Sequence, residues 1–243
     1  MHVIYQPQGR ALEYSPLACN IYIGCAHGCS YCYAPACLKM STKKFWEEPR
    51  PREGIVENIQ KDMRWLLHSQ QVSKGVLFCF SCDPYQPIET HYRLMEKIIP
   101  ILNQATVPIT ILTKSKSAEM DFKELMLNIY PQFGMTLTFW DEGDSKKWEP
   151  YASTPVERLT TLRRAHNLGI KTWVSLEPII DPAQTLDLIN ESHSFVDHYK
   201  IGRWNHDARA SNMDWKDIRY RIENRLIELE KSYYIKKDLR EAR

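Results

Sequence analysis

Along this chain, short continuous apolar runs alternate with longer stretches whose apolar positions recur at helical spacing. Residues 20–23 read as a strand leading into a cysteine-rich loop. Residues 56–68 space Val56, Ile59, Met63, Leu66 and Leu67 as a helix does, and Gly75 separates them from an apolar strand over 76–80. A helix over 91–102 follows, with Leu94, Ile98 and Ile101 on one side, and then a strand over 109–112. A helix over 121–129 and a strand over 135–139 continue the alternation. Thr154-Pro155 with Glu157 is a helix start, a capping residue followed by Pro at the first helical position, and Gly169 ends that helix. A strand over 171–176, a helix from Asp181-Pro182 to about 190, and a strand over 197–201 complete the series.

Five or six such βα units imply a parallel sheet, since each parallel connection needs a crossover. A doubly wound sheet and a partial barrel both satisfy the pattern, and in either the ligands gather at the C-terminal strand ends. Those ends carry 25–32, 81–87, 113–116, 140–142, Glu177-Pro178 and Arg203-Trp204. Residues 215–234 differ: Ile218, Ile222, Leu226 and Leu229 recur at helical spacing among charges of both signs, an amphipathic helix. The organisation expected is a core over 1–205 and a C-terminal helical extension over 206–243.

Composition narrows the class. The 243 residues are 43% apolar, enough for a packed core, and 32 Lys+Arg against 30 Asp+Glu leave a net charge of +2. A dedicated polycation for nucleic acid is far more basic, so any such contact must be local. One local patch is Lys39, Lys43, Lys44, Arg50 and Arg52 with Phe45 and Trp46; Arg203-Trp204 is another. No apolar run nears the ~20 residues of a membrane span, and the N-terminus lacks a basic region before an apolar one, so a cytoplasmic protein without membrane contact is expected.

The cysteines change the picture most. Five of seven (Cys19, Cys25, Cys29, Cys32 and Cys37) fall within nineteen positions, with Cys79 and Cys82 apart. An odd number and no export signal argue against disulfides and for metal ligation. Two donor sets are open. A tetrahedral zinc ion would take Cys25, Cys29, Cys32 and one of His27, Cys19 or Cys37, giving a non-catalytic zinc-binding module. An iron–sulfur cube would take the three thiolates of Cys25-x3-Cys29-x2-Cys32 and leave one iron open, with Gly28 letting the loop turn.

The motif Cys25-Ala-His-Gly-Cys-Ser-Tyr-Cys32, with Tyr31 before the third cysteine, resembles the radical S-adenosylmethionine (radical SAM) superfamily. A narrower resemblance, over about 5–205, is to the spore photoproduct lyase-like ("DNA repair photolyase") group. It is carried by Gly9-Arg-Ala-Leu-Glu-Tyr-Ser-Pro16, Cys29-Ser-Tyr-Cys-Tyr-Ala34, Asp83-Pro-Tyr-Gln-Pro-Ile-Glu89, Leu112-Thr-Lys-Ser115 and Trp148-Glu-Pro150. The resemblance implies a partial (β/α)6 TIM-type barrel. It also implies a 4Fe-4S cluster on Cys25, Cys29 and Cys32 whose open iron chelates SAM, and reductive cleavage to a 5′-deoxyadenosyl radical. A flavodoxin or ferredoxin would be the reductant.

By the same resemblance Tyr31 lies against the adenine. Ser81 and Asp83 approach the SAM amino group, although Asp83 could instead cap the turn at Pro84. Lys114 pairs with the SAM carboxylate, Ser115 lies beside it, and Glu177 takes ribose hydroxyls or substrate. Cys82 or Cys79 returns a hydrogen atom to the product, and strand alternation sets the two on opposite faces. His27, inside the loop, is read as a residue behind the ligands or at the surface rather than a ligand. The substrate expected is a nucleic-acid base, in lesion repair or base modification; a peptide or small molecule is the alternative.

Overall fold

The structure, a computed structural model, describes residues 2–69 and 71–242. Its main sheet has eight strands: β1 (Ile4–Tyr5), β2 (Ala18–Cys19), β5 (Val76–Phe78), β6 (Ile109–Thr113), β7 (Gln132–Thr136), β8 (Lys171–Ile179), β9 (His198–Arg203) and β10 (Ser232–Ile235). Two more strands, β3 (Tyr22–Ile23) and β4 (Arg50–Pro51), form a separate antiparallel pair. Only β1 runs antiparallel in the main sheet; every other neighbour pair is parallel. Spatial order follows chain order from β1 to β10 without reversal. A doubly wound sheet reverses at a switch point, so this order decides for the partial barrel.

Most predicted elements are present, with shifted ends. The helix Ile55–His68 buries Ile55, Ile59, Met63 and Leu66 on the sheet. The helix Pro155–Asn167 starts with the expected box: Thr154 Oγ1 accepts from Glu157 N, and Glu157 Oε2 accepts from Thr154 N at 2.9 Å. Asp181 caps Pro182–Ser192 through Ala183 N and Gln184 N. The single helix expected over 91–102 is instead Glu89–Tyr92 and Leu94–Gln104, broken at Arg93 with φ +49°. The buried Glu89 carboxylate occupies that break and accepts from Met95 N at 2.7 Å. The helix expected over 121–129 is one turn, Phe122–Leu125, after a 3-10 turn. The strand expected at 135–139 lies three residues earlier, at Gln132–Thr136, and the one expected at 20–23 splits into β2 and β3.

The C-terminal segment holds more than a helix. Trp215–Glu228 packs Ile218, Ile222 and Leu226 inward as its stripe requires. The helical spacing read on to 234 does not hold, because β10 pairs in parallel with β9, Ser232 opposite His198 through Ile235 opposite Ile201. The barrel sheet thus gains a seventh parallel strand.

Two apolar regions follow from strand alternation. One face of each strand packs on the helices in a large continuous core. The other face lines the lumen, where Ala18, Leu77 and Trp173 pack with Tyr5, Tyr14, Phe80 and Leu112. Trp173 on β8 lies opposite Gly134 on β7, and a Cβ on Gly134 would come 2.2 Å from the indole. Only glycine lets that rigid ring cross the neighbouring strand. Gly134→Ala should therefore cost about 1–3 kcal/mol of stability by overpacking, read as a lower urea midpoint at unchanged slope; an unchanged midpoint would show the lumen to be loosely packed.

Candidate active site

The cysteine loop follows β2 and the short β3, and most of its fixed contacts come from elsewhere in the chain. Cys25 N donates to Phe45 O, and Ser30 N donates to Trp148 O, both at 2.9 Å. Gln86, fully buried, clamps the loop at two points: its Oε1 accepts from Ala26 N at 2.9 Å, and its Nε2 donates to Gly24 O at 3.2 Å. Tyr151 N donates to His27 O, and His27 Nδ1 lies 3.2 Å from Tyr151 O. Gly28 turns with φ +68°, and a Cβ there would come 3.1 Å from the Tyr151 ring. The expected glycine turn is thus backed by a close approach as well.

Asp83 works beneath this loop. Its Oδ1 accepts from Thr113 Oγ1 at 2.6 Å and Tyr85 N at 2.8 Å; its Oδ2 accepts from Lys114 N at 2.7 Å and lies 3.1 Å from His27 Nε2. Burial pushes this carboxyl up, but the facing His27 and these donors outweigh it and hold Asp83 below the usual range. Asp83 therefore ties the ends of β5 and β6 to the cysteine loop, capping the turn as one reading expected. Ser115 likewise spends its hydroxyl locally, accepting from Ser117 N at 3.2 Å.

Ser81 and Lys114 differ in having groups to spare. The Ser81 hydroxyl is buried without a partner, while its backbone N–H is held by Asn20 Oδ1 at 2.9 Å. Lys114 Nζ sits 5.7 Å from the centroid of the Tyr31 ring. Burial pulls this ammonium down, but the neighbouring Cys29 and Glu149 raise it overall. Tyr31 donates its hydroxyl to Glu149 and lies 3.2 Å from Thr138 Oγ1.

Glu149 carries a role the sequence did not reveal. It is 1% exposed and pairs with Arg158, also 1% exposed, at 2.6 Å. Arg158 further donates to Ser153 O at 2.7 Å and to Thr136 O at 3.0 Å. Burial raises the Glu149 carboxyl, yet Arg158, Lys114 and Tyr31 together hold it below the usual range. The only sequence signal was the Trp148-Glu-Pro150 motif; Arg158 was not singled out.

Glu177 lies deeper in the lumen. It accepts from Lys236 Nζ at 2.8 Å on both oxygens and from the Tyr14 hydroxyl at 2.5 Å. Lys236 comes from the C-terminal segment and was not singled out. Cys79 and Cys82 both pack on the outer core with Cys19, and the lumen position between them belongs to Phe80. The expected opposite faces do not apply, because β5 ends at Phe78. Burial first, then the adjacent Cys82, pushes the Cys79 thiol up.

The donor set fits a multi-iron cluster. Burial pushes the Cys29 thiol up to about 12 and raises Cys25 and Cys32, and a bound metal would stabilise the thiolates against that shift. A cube takes one thiolate per iron, which the three cysteines of the loop can supply. Of the candidate fourth zinc ligands, His27 faces Asp83, Cys19 is buried in the core and Cys37 is exposed.

Comparison with known proteins agrees with this geometry. The sequence profile of the Radical SAM superfamily matches residues 19–196. The chain is a member of the radical SAM superfamily, an enzyme whose cofactors are a 4Fe-4S cluster and SAM. An uncharacterized protein of Methanocaldococcus jannaschii is 25% identical over 183 residues, which are 74% of this chain and 67% of that one. An uncharacterized protein of Acidianus two-tailed virus is 28% identical over 197 residues, 74% of this chain and 61% of that one. An uncharacterized protein of Mycobacterium tuberculosis is 25% identical over 165 residues, so the chain spans only 48% of that relative. Among solved structures, spore photoproduct lyase with bound AdoMet and dinucleoside spore photoproduct superposes with a TM-score of 0.74 at 12% identity, covering 96% of this chain and 78% of that one. Streptococcus suis SuiB bound to S-adenosylmethionine gives 0.69 at 10% identity, covering 90% and 49%. Both likenesses are of fold. No helix among the described residues is long and apolar enough to cross a membrane.

The buried pair makes a sharp prediction. A carboxyl held low in the folded chain adds stability that is present above its unfolded value of about 4.3 and is lost as pH falls through the lower folded value. Arg158→Met strands Glu149 and should cost about 3–5 kcal/mol near neutral pH. In the variant Glu149 moves up instead of down, so the deficit should shrink as pH falls towards about 4. Urea midpoints at the two pH values check this; an equal deficit at both would mean the pair is not ionised.

Proposed function

We propose that this chain reductively cleaves SAM at a 4Fe-4S cluster held by Cys25, Cys29 and Cys32, and directs the resulting radical at a nucleic-acid base. The observation that carries the reading is the cysteine loop, braced from three sides at the C-terminal mouth of a parallel barrel. When bound, the cluster and SAM supply one electron and a 5′-deoxyadenosyl radical; the protein supplies binding, orientation and exclusion of water.

The roles of the chain's own groups follow from what each has left to give. Among the described residues Ser81 offers a buried hydroxyl without a partner, and Lys114 an ammonium without a hydrogen-bonded acid, so they are the polar groups for the amino-acid end of SAM. Asp83, Gln86, Ser115 and Glu149 are spent on holding loops and act as positioning residues. Tyr31 presents a ring whose hydroxyl is anchored, which suits packing against the adenine. Glu177 is oriented by Lys236 and Tyr14 for hydroxyl groups entering the lumen.

Support for a base as substrate is of two kinds. The solved spore photoproduct lyase, of the same fold, holds a dinucleoside lesion. In this chain, Tyr33 and Tyr151 are exposed beside the loop, where they can stack on a base, and Lys39, Lys43, Lys44 and Arg50 are exposed near it for phosphate contacts. Phe45 and Trp204 are buried and do not serve as stacking surfaces.

The test is anaerobic reconstitution with iron and sulfide, reduction with dithionite, addition of SAM, and measurement of 5′-deoxyadenosine. Production should vanish in Cys29→Ala and should rise when DNA or RNA is added, with strong salt dependence. Bound zinc in place of iron and sulfide would overturn the enzyme reading. Turnover stimulated by a peptide, as the precursor peptide bound by SuiB suggests for that enzyme, would overturn only the choice of substrate.

A further inference from the structure

The opposite end of the lumen holds a cavity of about 470 Å3 that takes no part in the site above. Lys171, His198 and Ser232, the first residues of β8, β9 and β10, ring it, and Lys74 reaches it from the turn before β5. Because these strands are parallel, it opens at the N-terminal mouth of the barrel, away from the cysteine loop. The apolar lumen cluster around Leu77, Leu112 and Trp173 separates the two.

Its walls offer donors and positive charge. Lys74, Lys171 and Lys200 all line it, and among the described residues none of the three forms an ion pair. The one lining carboxylate, Asp197, is engaged by Thr172, accepting from its N at 2.7 Å and its Oγ1 at 3.1 Å. Lys200 Nζ donates to Tyr14 O at 2.7 Å and Glu13 O at 3.3 Å, so its third N–H is uncommitted. Burial and the nearby Lys236 pull this ammonium down to about 8, the mark of a cation kept without a counterion. Trp173 adds an indole N–H that is buried with no acceptor. A buried donor left unmatched is costly, and native structures carry few of them.

We propose that this N-terminal mouth binds a phosphate group, either free or carried by a small organic molecule. Three lysines among the lining residues and an unmatched N–H complement a compact polyanion and repel a cation. The volume lies in the range of small-molecule sites, with room for more than one phosphate. The inference does not rest on the proposed function, since none of these residues touches the cysteine loop.

Calorimetric titration of the full chain, at constant ionic strength and with sodium chloride as the reference, tests it. Inorganic phosphate and adenosine monophosphate serve as separate probes. Saturable one-to-one binding is expected, weakened roughly tenfold by Lys171→Ala and again by Lys74→Ala, the loss expected for a charged hydrogen bond. Both lysines are exposed, so these variants keep the fold, and Lys216→Ala, on the outer helix, should bind as the unmodified chain does. Equal affinity for the two probes would identify free phosphate as the ligand, and tighter binding of the nucleotide an organic phosphate. No saturable binding beyond the chloride reference, or equal binding by the lysine variants, would overturn the proposal.

Discussion

The cysteine loop depends on one buried ion pair. Glu149 and Arg158 are removed from water, and the cost of burying two charges is offset by their mutual hydrogen bond, by two carbonyls that accept from Arg158 and by the Tyr31 hydroxyl that donates to Glu149. Arg158 fixes Glu149, Glu149 fixes the Tyr31 hydroxyl, and Tyr31 lies between Cys29 and Cys32. The same short segment gives Trp148 O to Ser30 and both backbone groups of Tyr151 to His27. A loop that must present three thiols at fixed positions has no regular secondary structure to hold it, so its order is imposed from the strands beside it.

That arrangement gives the motifs at 83–89 and 148–150 a common physical meaning. Neither needs to touch the reaction. Asp83 joins His27 to the end of β6, Gln86 grips both sides of Cys25, and Glu89 receives the Tyr22 hydroxyl just before the loop begins. Each of these groups is buried with its polar atoms matched, which rigidifies the loop in a way a solvated contact could not. The Ser81 hydroxyl, and with it that of Tyr85, breaks this pattern of matching among the described residues.

The fold was legible where local rules act alone. Thr154-Pro155, Gly169 and Asp181 mark helix ends through their own backbone and side-chain chemistry, and the structure uses them so. Errors fell where a distant residue overrides the local pattern. Arg93 adopts a positive φ beside the buried carboxylate of Glu89, which no periodicity reveals. Ser232–Ile235 follows a helical stripe in sequence, yet it completes the sheet because β9 offers an open edge. In the site, the three cysteines are adjacent in sequence and so could be read at once. Arg158 and Lys236 could not, because each meets its carboxylate partner only after the barrel brings distant segments together.

The barrel also explains why a net charge of +2 says little about binding. Acidic groups near the C-terminal mouth are matched inside it, Glu149 by Arg158 and Glu177 by Lys236. The lysines at the N-terminal mouth have no such partners among the described residues. Parallel strands send successive lumen-facing residues towards one mouth or the other according to their position along the strand. On β8, Lys171 and Glu177 are six residues apart and so face the same side of the sheet, yet they open on opposite ends of the lumen. A chain that is nearly neutral overall thus has its lumen carboxylates matched near one mouth and, among the described residues, lysines without ion pairs at the other, separated by a plug of leucine, phenylalanine and tryptophan.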